Sequence, residues 1–331
     1  MKKKARVMRV GVIGGVSSTI VTLKKLLSFK FNIACVFGYK PSKNMLVSGY
    51  VDMEEFCALH SINFYPFTRI NNETTKIQNM DLDVLFVVGL SQIVSAEIIH
   101  SASILTIGFH PTLLPKGRGR APIAWLVNDL SDGAATFFQL TDKADQGKIL
   151  VQEKFKLNES DDAGSVEMKI ISAINNALDI FLPNLKKNTW SATSQDEILA
   201  TEYGVRKPED GMIDWNNSAK SIDRLIKAAA TPHPGAFSYL KASKIIIYKS
   251  KVESDGNIKG IVGRVLKVKE KSALVQTGYG LIWINSYLAD DNSTLRIGDF
   301  LGYKVDIEIN QLKSEINQLK SEINQLKILL E

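Results

Sequence analysis

Of the four histidines in this 331-residue chain, His110 is the one placed for chemistry. It closes an apolar run and opens "HPTLLPKGRGRAP" (110–122), whose prolines and glycines exclude both a helix and a central strand. Such a segment holds its side chains at the edge of a cleft. A second Gly-punctuated loop, "TDKADQGKIL" (141–150), follows another apolar run and carries two aspartates. A carboxylate from this loop beside the imidazole would orient it and bring its titration towards neutrality, as a general base requires. Proton transfer is therefore expected, and metal chemistry is not. Only Cys35 and Cys57 are present, both in apolar segments and without zinc-ligand spacing.

The elements that position these loops read as an α/β layer. Strands are predicted at "RVGVIG" (9–14), "NIACVFGY" (32–39), "VLFVVG" (84–89), "ILTIGF" (104–109) and "ATFFQL" (135–140). Helical stretches fall between them at Ile20–Leu27, Met53–His60 and Ser95–His100. Continuous apolar strands alternating with helices predict a mostly parallel sheet with helices on both faces, Rossmann-like in arrangement. Ligands of such sheets bind at the carboxyl ends of the strands, where His110 falls. A long amphipathic helix is expected around 163–183, followed by a polar linker, "KKNTWSATSQDE" (186–197). Beyond it, "SAKSIDRLIKAAA" (218–230) places Ile222, Leu225, Ile226 and Ala229 on one helical face. Four short strand patterns then follow, "KIIIYKSKV", "GIVGRVLKV", "SALVQTG" and "GLIWINSYL", which read as a small β-barrel or meander. The expected domains are 1–196, 197–305 and a terminal heptad helix, 306–331.

The first Gly-rich turn, "GVIGGVSST", lacks the G-x-G-x-x-G spacing, and the second strand ends without an acidic residue for a ribose. A nicotinamide cofactor is not expected. The backbone and hydroxyls of Gly14, Gly15, Ser17 and Ser18 either hold a substrate phosphate at the following helix N-terminus or form a tight strand-to-helix turn.

Taken together, "HPTLLPKGRGRAPIAW" followed by "TDKADQGKIL" resembles the 10-formyltetrahydrofolate-dependent formyltransferases. That family reads Asn-x-His, a Leu-Leu-Pro loop with Arg-Gly, and then an Asp-x-Gly loop. "KPEDGMIDWNNSAKSIDRLIKAAATPHPGAF" (207–237) resembles the opening of the C-terminal domain in methionyl-tRNA and sugar-nucleotide formyltransferases, so the likeness spans roughly residues 8–305. It implies His110 as catalytic base, Asp145 as its partner, and 10-formyltetrahydrofolate as co-substrate. The pterin would lie against Leu90, Ser91, Gln92 and Ile93 and against Asp142, Lys143 and Ala144. The chemistry needs a base and an oxyanion partner but no metal: an attacking amine sheds a proton while negative charge gathers on the formyl oxygen. One position departs from the pattern. Gly108 stands where the family has its Asn, so the usual carboxamide donor is missing. An active enzyme with an altered oxyanion site is expected.

The stretch "PKGRGRAPIAWLVND" is closer to the formyltransferase domain acting on UDP-4-amino-4-deoxyarabinose than to the tRNA enzymes, which read Arg-Gly-Ala-Ala-Pro there. The resemblance therefore implies a nucleotide-linked amino sugar, such as a UDP- or TDP-linked 4-amino-4,6-dideoxyhexose of surface-glycan or pseudaminic-acid type. Lys116, Arg118 and Arg120 are candidates to neutralise its diphosphate, with Tyr39 and Lys40 as weaker pocket candidates. At least one of the three cations is expected to face substrate, the others pairing with Asp142 or Asp145. Methionyl-tRNA as acceptor, hydrolysis of the folate, and a non-catalytic folate- or nucleotide-binding module are the alternatives. His233, in "TPHPGAF", is assigned to a rigid turn outside the chemistry, and Trp125 to the core.

The net charge of +6 divides into −2 on residues 306–331 and +8 on 1–305, mild enough to decide little between an anionic small molecule and nucleic acid. Arg9 and Gly14-Gly15 interrupt the opening "MKKKARVMRVGVIGG", which reads as a first strand and not as a signal peptide. No apolar run is long enough to span a bilayer, so a soluble, cytoplasmic protein is expected. In the tail, "INQLKSE" occurs at 309–315 and 316–322, with "INQLK" at 323–327. Ile309, Ile316 and Ile323 take heptad position a, while Leu312, Leu319 and Leu326 take d, with Leu330 continuing the seam. Homo-oligomerisation through this helix is expected.

Overall fold

The structure is a computed structural model that describes residues 7–42, 47–241, 243–254, 256–303 and 305–330, the last helix without its side chains at 305–308, 311 and 328–330. The basic opening at 1–6 and the side chain of Leu330 lie outside the described part.

The chain divides into two compact units. One comprises Met1–Gly211 with Arg224–Gly235, the other Met212–Asp223 with Ala236–Glu331. The first unit contains strands β1 (Arg9–Gly14), β2 (Asn32–Tyr39), β3 (Asn63–Phe67), β4 (Val84–Val87), β5 (Leu105–Thr112), β6 (Arg118–Gly119), β7 (Gly133–Gln139), β8 (Ile149–Phe155) and β9 (Glu202–Tyr203). Its helices are α1 (Ser17–Ser28), α2 (Glu54–Leu59), α3 (Thr74–Gln78), α4 (Ala96–Ile99), α5 (Pro122–Asp129) and α6 (Ala163–Lys187). Seven strands form one sheet in the order β3-β2-β1-β4-β5-β7-β8, parallel through β5 and antiparallel beyond it. Strand order reverses between β1 and β4, which creates a crevice at their carboxyl ends.

Alternation along the strands sends side chains to two cores. Val10 and Val12 face one together with Phe86, Phe137 and the buried stripe of α6, while Ile13 faces the other with Cys35, Phe37, Leu85 and Ile98. Burial pushes the Cys35 thiol up to about 12 and the Cys57 thiol to about 11, so both are inert packing residues. The two edge strands, β3 and β8, are the ones without a run of buried residues. Pro66 sits in β3, where an edge tolerates a missing donor.

Helix α6 begins at a reciprocal cap: Ser165 N–H donates to Asp162 at 2.8 Å, and Asp162 N–H donates to the Ser165 hydroxyl at 3.0 Å. Its last residue, Lys187, lies four beyond the amphipathic stretch read from sequence and past an internal Pro183, and Asn188 caps it in the left-handed region.

The expected boundary after 196 falls inside the first unit. Residues 201–203 pair with the loop after β5, as β9 lies parallel to β6 and Arg118 N–H donates to Thr201 O at 3.0 Å. The unit border instead runs through helix α7 (Ala219–Ala229).

The second unit carries β10 (Ala236–Leu240), β11 (Ser243–Glu253), β12 (Val265–Lys269), β13 (Ser272–Gln276) and β14 (Leu281–Ala289), antiparallel in the order β10-β11-β14-β13-β12. Both edges of this sheet meet one segment, Leu240 bridging to Leu301 and Arg264 to Phe300, which closes it into the expected barrel. Helix α8 (Val305–Leu330) follows.

Candidate active site

A cavity of about 470 Å³ opens in the first unit at the reversal of strand order, within the size range of small-molecule sites. It is lined from the ends of β1 (Val16–Ser18), β4 (Gly89–Ile93) and β5 (Phe109–Pro111), from Gly119–Ile123, from Ala144 and Asp145, and from one face of α6. His110 and Asp145 meet there.

His110 is 6% exposed at the end of β5. Its Nε2 lies 2.8 Å from the carbonyl of Gly117. A carbonyl only accepts, so Nε2 carries a proton and Nδ1 is the nitrogen left to take one. Nδ1 lies 3.8 Å from Asp145 Oδ2, an ion-pair distance longer than a hydrogen bond. The sequence-based reading had the acid orient the ring; the backbone of the Pro-Gly loop does so instead.

That loop is held from both sides. Thr112 Oγ1 donates to Lys116 O at 2.8 Å, and Gly117 N–H donates to Thr201 Oγ1 at 2.8 Å. Gly119 adopts φ +103°, and a Cβ there would lie 2.4 Å from Tyr203 O. Only glycine fits, and its N–H donates to Asp145 Oδ2 at 2.9 Å, which fixes the carboxylate. Gln195 completes the frame: its Nε2 donates to the carbonyls of Asp145 and Gly147, each at 2.7 Å. The segment read as a linker is therefore part of the support for the acid.

The three loop cations separate. Arg118 is 3% exposed and turned into the protein, where it donates to both carboxylate oxygens of Glu197 at 2.8 Å and to Gln195 Oε1. Hydrogen bonding to Glu197 raises the pKa of Arg118 and lowers that of Glu197. Arg118 is thus a structural cation and not the diphosphate ligand expected from sequence. Lys116 is exposed outside the cavity lining, while Arg120 lies in it.

Among the residues implied for the folate, Leu90, Ser91, Gln92, Ile93 and Ala144 line the cavity, whereas Asp142 and Lys143 do not. Exposed Asp142 instead lies 3.8 Å from His100. The Gln92 side chain is committed to the neighbouring loop, accepting from Ile70 N–H at 2.9 Å and donating to Thr68 O at 2.8 Å. Its main chain is what it offers a ligand.

The turn after β1 is the tight-turn alternative and not a phosphate cradle. The Thr19 hydroxyl accepts from Gly15 N–H and Val16 N–H, and Ser17 N–H donates to Gly49 O at 3.0 Å. Gly14 and Gly15 lie outside the cavity lining; a Cβ on Gly15 would meet Tyr39 Cβ at 2.7 Å, so Tyr39 packs on the turn. Lys40 pairs with Asp52 and Glu54. Ser17 and Ser18 do line the cavity, but Ser17 Oγ donates to the carboxylate of Glu167, which opposes a phosphate at this helix end.

Two lining residues carry no local signal in the sequence. Glu167 projects from α6, and His233 sits in the turn after α7, the turn expected from sequence, which belongs to the first unit and borders the cavity. Its Nδ1–H donates to Ala228 O at 2.7 Å. Burial lowers its pKa, against the opposing effects of that hydrogen bond and of Glu167.

Gly108 is buried in β5 opposite Phe138. A Cβ at 108 would lie 2.7 Å from Phe138 Cζ and 2.9 Å from Leu140 Cδ1. Apolar side chains fill the space that a side chain at 108 would occupy.

The family comparisons agree with this arrangement. A model described as formyl transferase matches residues 20–179, and one described as formyl transferase, C-terminal domain, matches 206–304. Among solved structures, an N-formyltransferase from Helicobacter canadensis superposes with a TM-score of 0.65 at 15% identity, over 84% of this chain and 98% of that one. The sugar 3N-formyl transferase WlaRD matches with a TM-score of 0.62 at 16% identity, over 85% of this chain and 97% of the other. HypX from Aquifex aeolicus matches with a TM-score of 0.62 at 14% identity over 88% of this chain, which spans about half of HypX, 46% of its length. At these identities the structures speak to the fold alone. The two sequence models, matched in order over residues 20–179 and 206–304, place the chain in the formyl transferase family.

Proposed function

We propose that the protein moves a formyl group from 10-formyltetrahydrofolate to the amine of a nucleotide-linked amino sugar. The observation that carries the proposal is that His110, Asp145, Leu90–Ile93, Ala144 and Arg120 line one cavity. The lining suits the folate: Val16, Leu90, Phe109, Ile123 and Ile170 provide apolar walls for a flat ring, beside main chain from Gly89–Ile93. The bound folate supplies the activated formyl group. His110 Nδ1 accepts the proton that the amine sheds as it bonds to the formyl carbon and returns it to the folate nitrogen as the N10–formyl bond breaks and tetrahydrofolate leaves, with Asp145 stabilising the transient imidazolium. Gly117 O fixes the ring through Nε2, so only one nitrogen serves as base. No side-chain amide reaches the oxyanion from position 108, and a backbone N–H, water or protonated His110 takes that role. Arg120 neutralises phosphate at the acceptor end.

Related structures support the substrate class. WlaRD is described with dTDP and 5-N-formyl-THF, the Helicobacter canadensis enzyme with folinic acid and dTDP-3-aminofucose. In this reading the acceptor is a UDP- or TDP-linked 4-amino-4,6-dideoxyhexose and the enzyme acts in the cytoplasm. It self-associates through the 306–331 heptads. Incubation with 10-formyltetrahydrofolate and a panel of UDP-, TDP- and GDP-linked amino sugars, followed by product mass, tests the proposal. A formylated sugar nucleotide is expected. Formylation of charged tRNA alone, release of formate without acceptor, or folate binding without turnover would each overturn it in favour of another acceptor, a hydrolase or a binding module.

A further inference from the structure

Helix α8 carries a continuous apolar row with no cover in the described chain. Ile309, Leu312, Ile316, Leu319, Ile323 and Leu326 are each between 43% and 59% exposed. The polar positions lie around the rest of the helix: Asn at b, Gln at c and Ser at f, with Gln318 donating to Glu322 at 3.0 Å. A helix of 26 residues gains little from nucleation and propagation alone, so this row must be buried against something to be stable. We infer that α8 pairs with α8 of a second copy of this chain as a parallel, in-register, two-stranded coiled coil. This rests on the self-association proposed above and specifies its geometry.

Three features select that arrangement. β-Branched Ile at every a with Leu at every d favours two strands over three or four. The flanking charges select direction. Glu315 and Glu322 occupy g, and Lys313, Lys320 and Lys327 occupy e. In a parallel pair, g of one helix faces e of the next heptad in the other, so Glu315 meets the partner's Lys320 and Glu322 meets the partner's Lys327. In an antiparallel pair, e faces e and g faces g, which sets Lys against Lys and Glu against Glu along the whole seam. The third feature selects register. The repeat is so regular that a slip by one heptad preserves the charge pairing, and no polar residue sits at a or d to penalise it. Full overlap, however, stacks all six described layers, and a one-heptad slip leaves four. Greater burial therefore favours the in-register form.

The test uses the full chain. Light scattering should give twice the 36.7 kDa of one copy. The double variant Ile316→Asp/Leu319→Asp should give the mass of one copy while retaining formyl transfer, because both positions are exposed and lie outside the first unit. A double-variant mass equal to that of the parent would overturn α8 as the interface, and a parent mass of three or four copies would overturn the two-stranded form. Direction is read from thiols. A disulfide requires Cα atoms about 4.4–6.8 Å apart, a condition met by residues in facing layers. Leu312→Cys and Leu326→Cys, each oxidised separately, should run as covalent dimers on a non-reducing gel. In an antiparallel pair, 312 faces 323 and 326 faces 309, so neither single variant would cross-link. A two-copy mass without those covalent dimers would overturn the parallel arrangement and leave self-association standing. Cys35 and Cys57 are fully buried, so the parent chain serves as the uncross-linked control.

Discussion

Replacing Gly108 by Asn restores the side chain that the formyltransferase pattern carries two residues before its histidine, and should nevertheless bring no gain in rate. The backbone at 108 is ordinary strand, so the cost is steric. An added Cβ lies 2.7 Å and 3.1 Å from two ring atoms of Phe138 and 2.9 Å from Leu140 Cδ1. Phe138 is 1% exposed and directly opposite in the β5–β7 register, so its ring has little room to retreat. Overfilling a packed site of this kind costs about 1–3 kcal/mol. A carboxamide pressed into these apolar surroundings costs about another 1–3 kcal/mol if it finds no partner. A functioning oxyanion donor would act in the opposite direction, raising the rate ~10²–10³-fold. Crowding should win. Gly108→Asn is expected to lower Tm by several degrees and to leave kcat for formyl transfer unchanged or reduced. Gly108→Ala, which adds the Cβ alone, isolates the steric share. Thermal denaturation and initial rates on both variants check this. A hundred-fold rise in kcat at unchanged Tm would refute it, because Phe138 and Leu140 would then have yielded and the absent amide would have been limiting.

Three further outcomes follow from the site. His110→Asn removes the proton acceptor and should reduce formyl transfer by about 10²–10⁴-fold with the fold intact, measured by steady-state rates alongside a melting curve. Arg118→Ala should lower Tm without raising KM for the acceptor, since its guanidinium is bound to Glu197 and Gln195, whereas Arg120→Ala should raise that KM at unchanged Tm. Burial holds the pKa of His233 below its ordinary 6.5, so the unfolded chain binds more protons in the window beneath 6.5. Stability present above pH 6.5 should therefore be lost as pH falls through the lower, folded value. His233→Asn, which keeps an amide donor for Ala228 O, should flatten that loss in urea midpoints measured against pH.

The meeting of His110 and Asp145 was partly legible because both residues sit in short segments with strong local punctuation. His110 follows an apolar run and precedes a Pro-Gly loop, and Asp145 lies in a Gly-bounded acidic loop. Leu90–Ile93 and Ala144 carry no such signal and were expected there only from the family resemblance. The cations were not legible in this way. Arg118 and Arg120 are two residues apart in one basic stretch, and nothing local distinguishes them. Their roles divide because Glu197, 79 residues further on, lies against the first and not the second. The place of Glu167 and His233 beside the cavity was not legible for a related reason: one is an ordinary acidic residue on a helix, the other a histidine between prolines.

What the sequence determined by itself was the set of elements and their class. A hydrophobic period of two or of 3.6, a capping pair at Asp162 and Ser165, and a strict seven-residue repeat are all written within a few residues of where they act. Tertiary structure decided which of these residues share a cavity. It turned Arg118 inward and Arg120 outward, gave the backbone N–H groups of the first turn to Thr19, and brought 201–203 back beside the loop after β5. It also tied His110 Nε2 to Gly117 O, leaving Nδ1 as the nitrogen open to accept a proton. Those outcomes depend on partners tens of residues distant, whose proximity exists only once the sheet has formed.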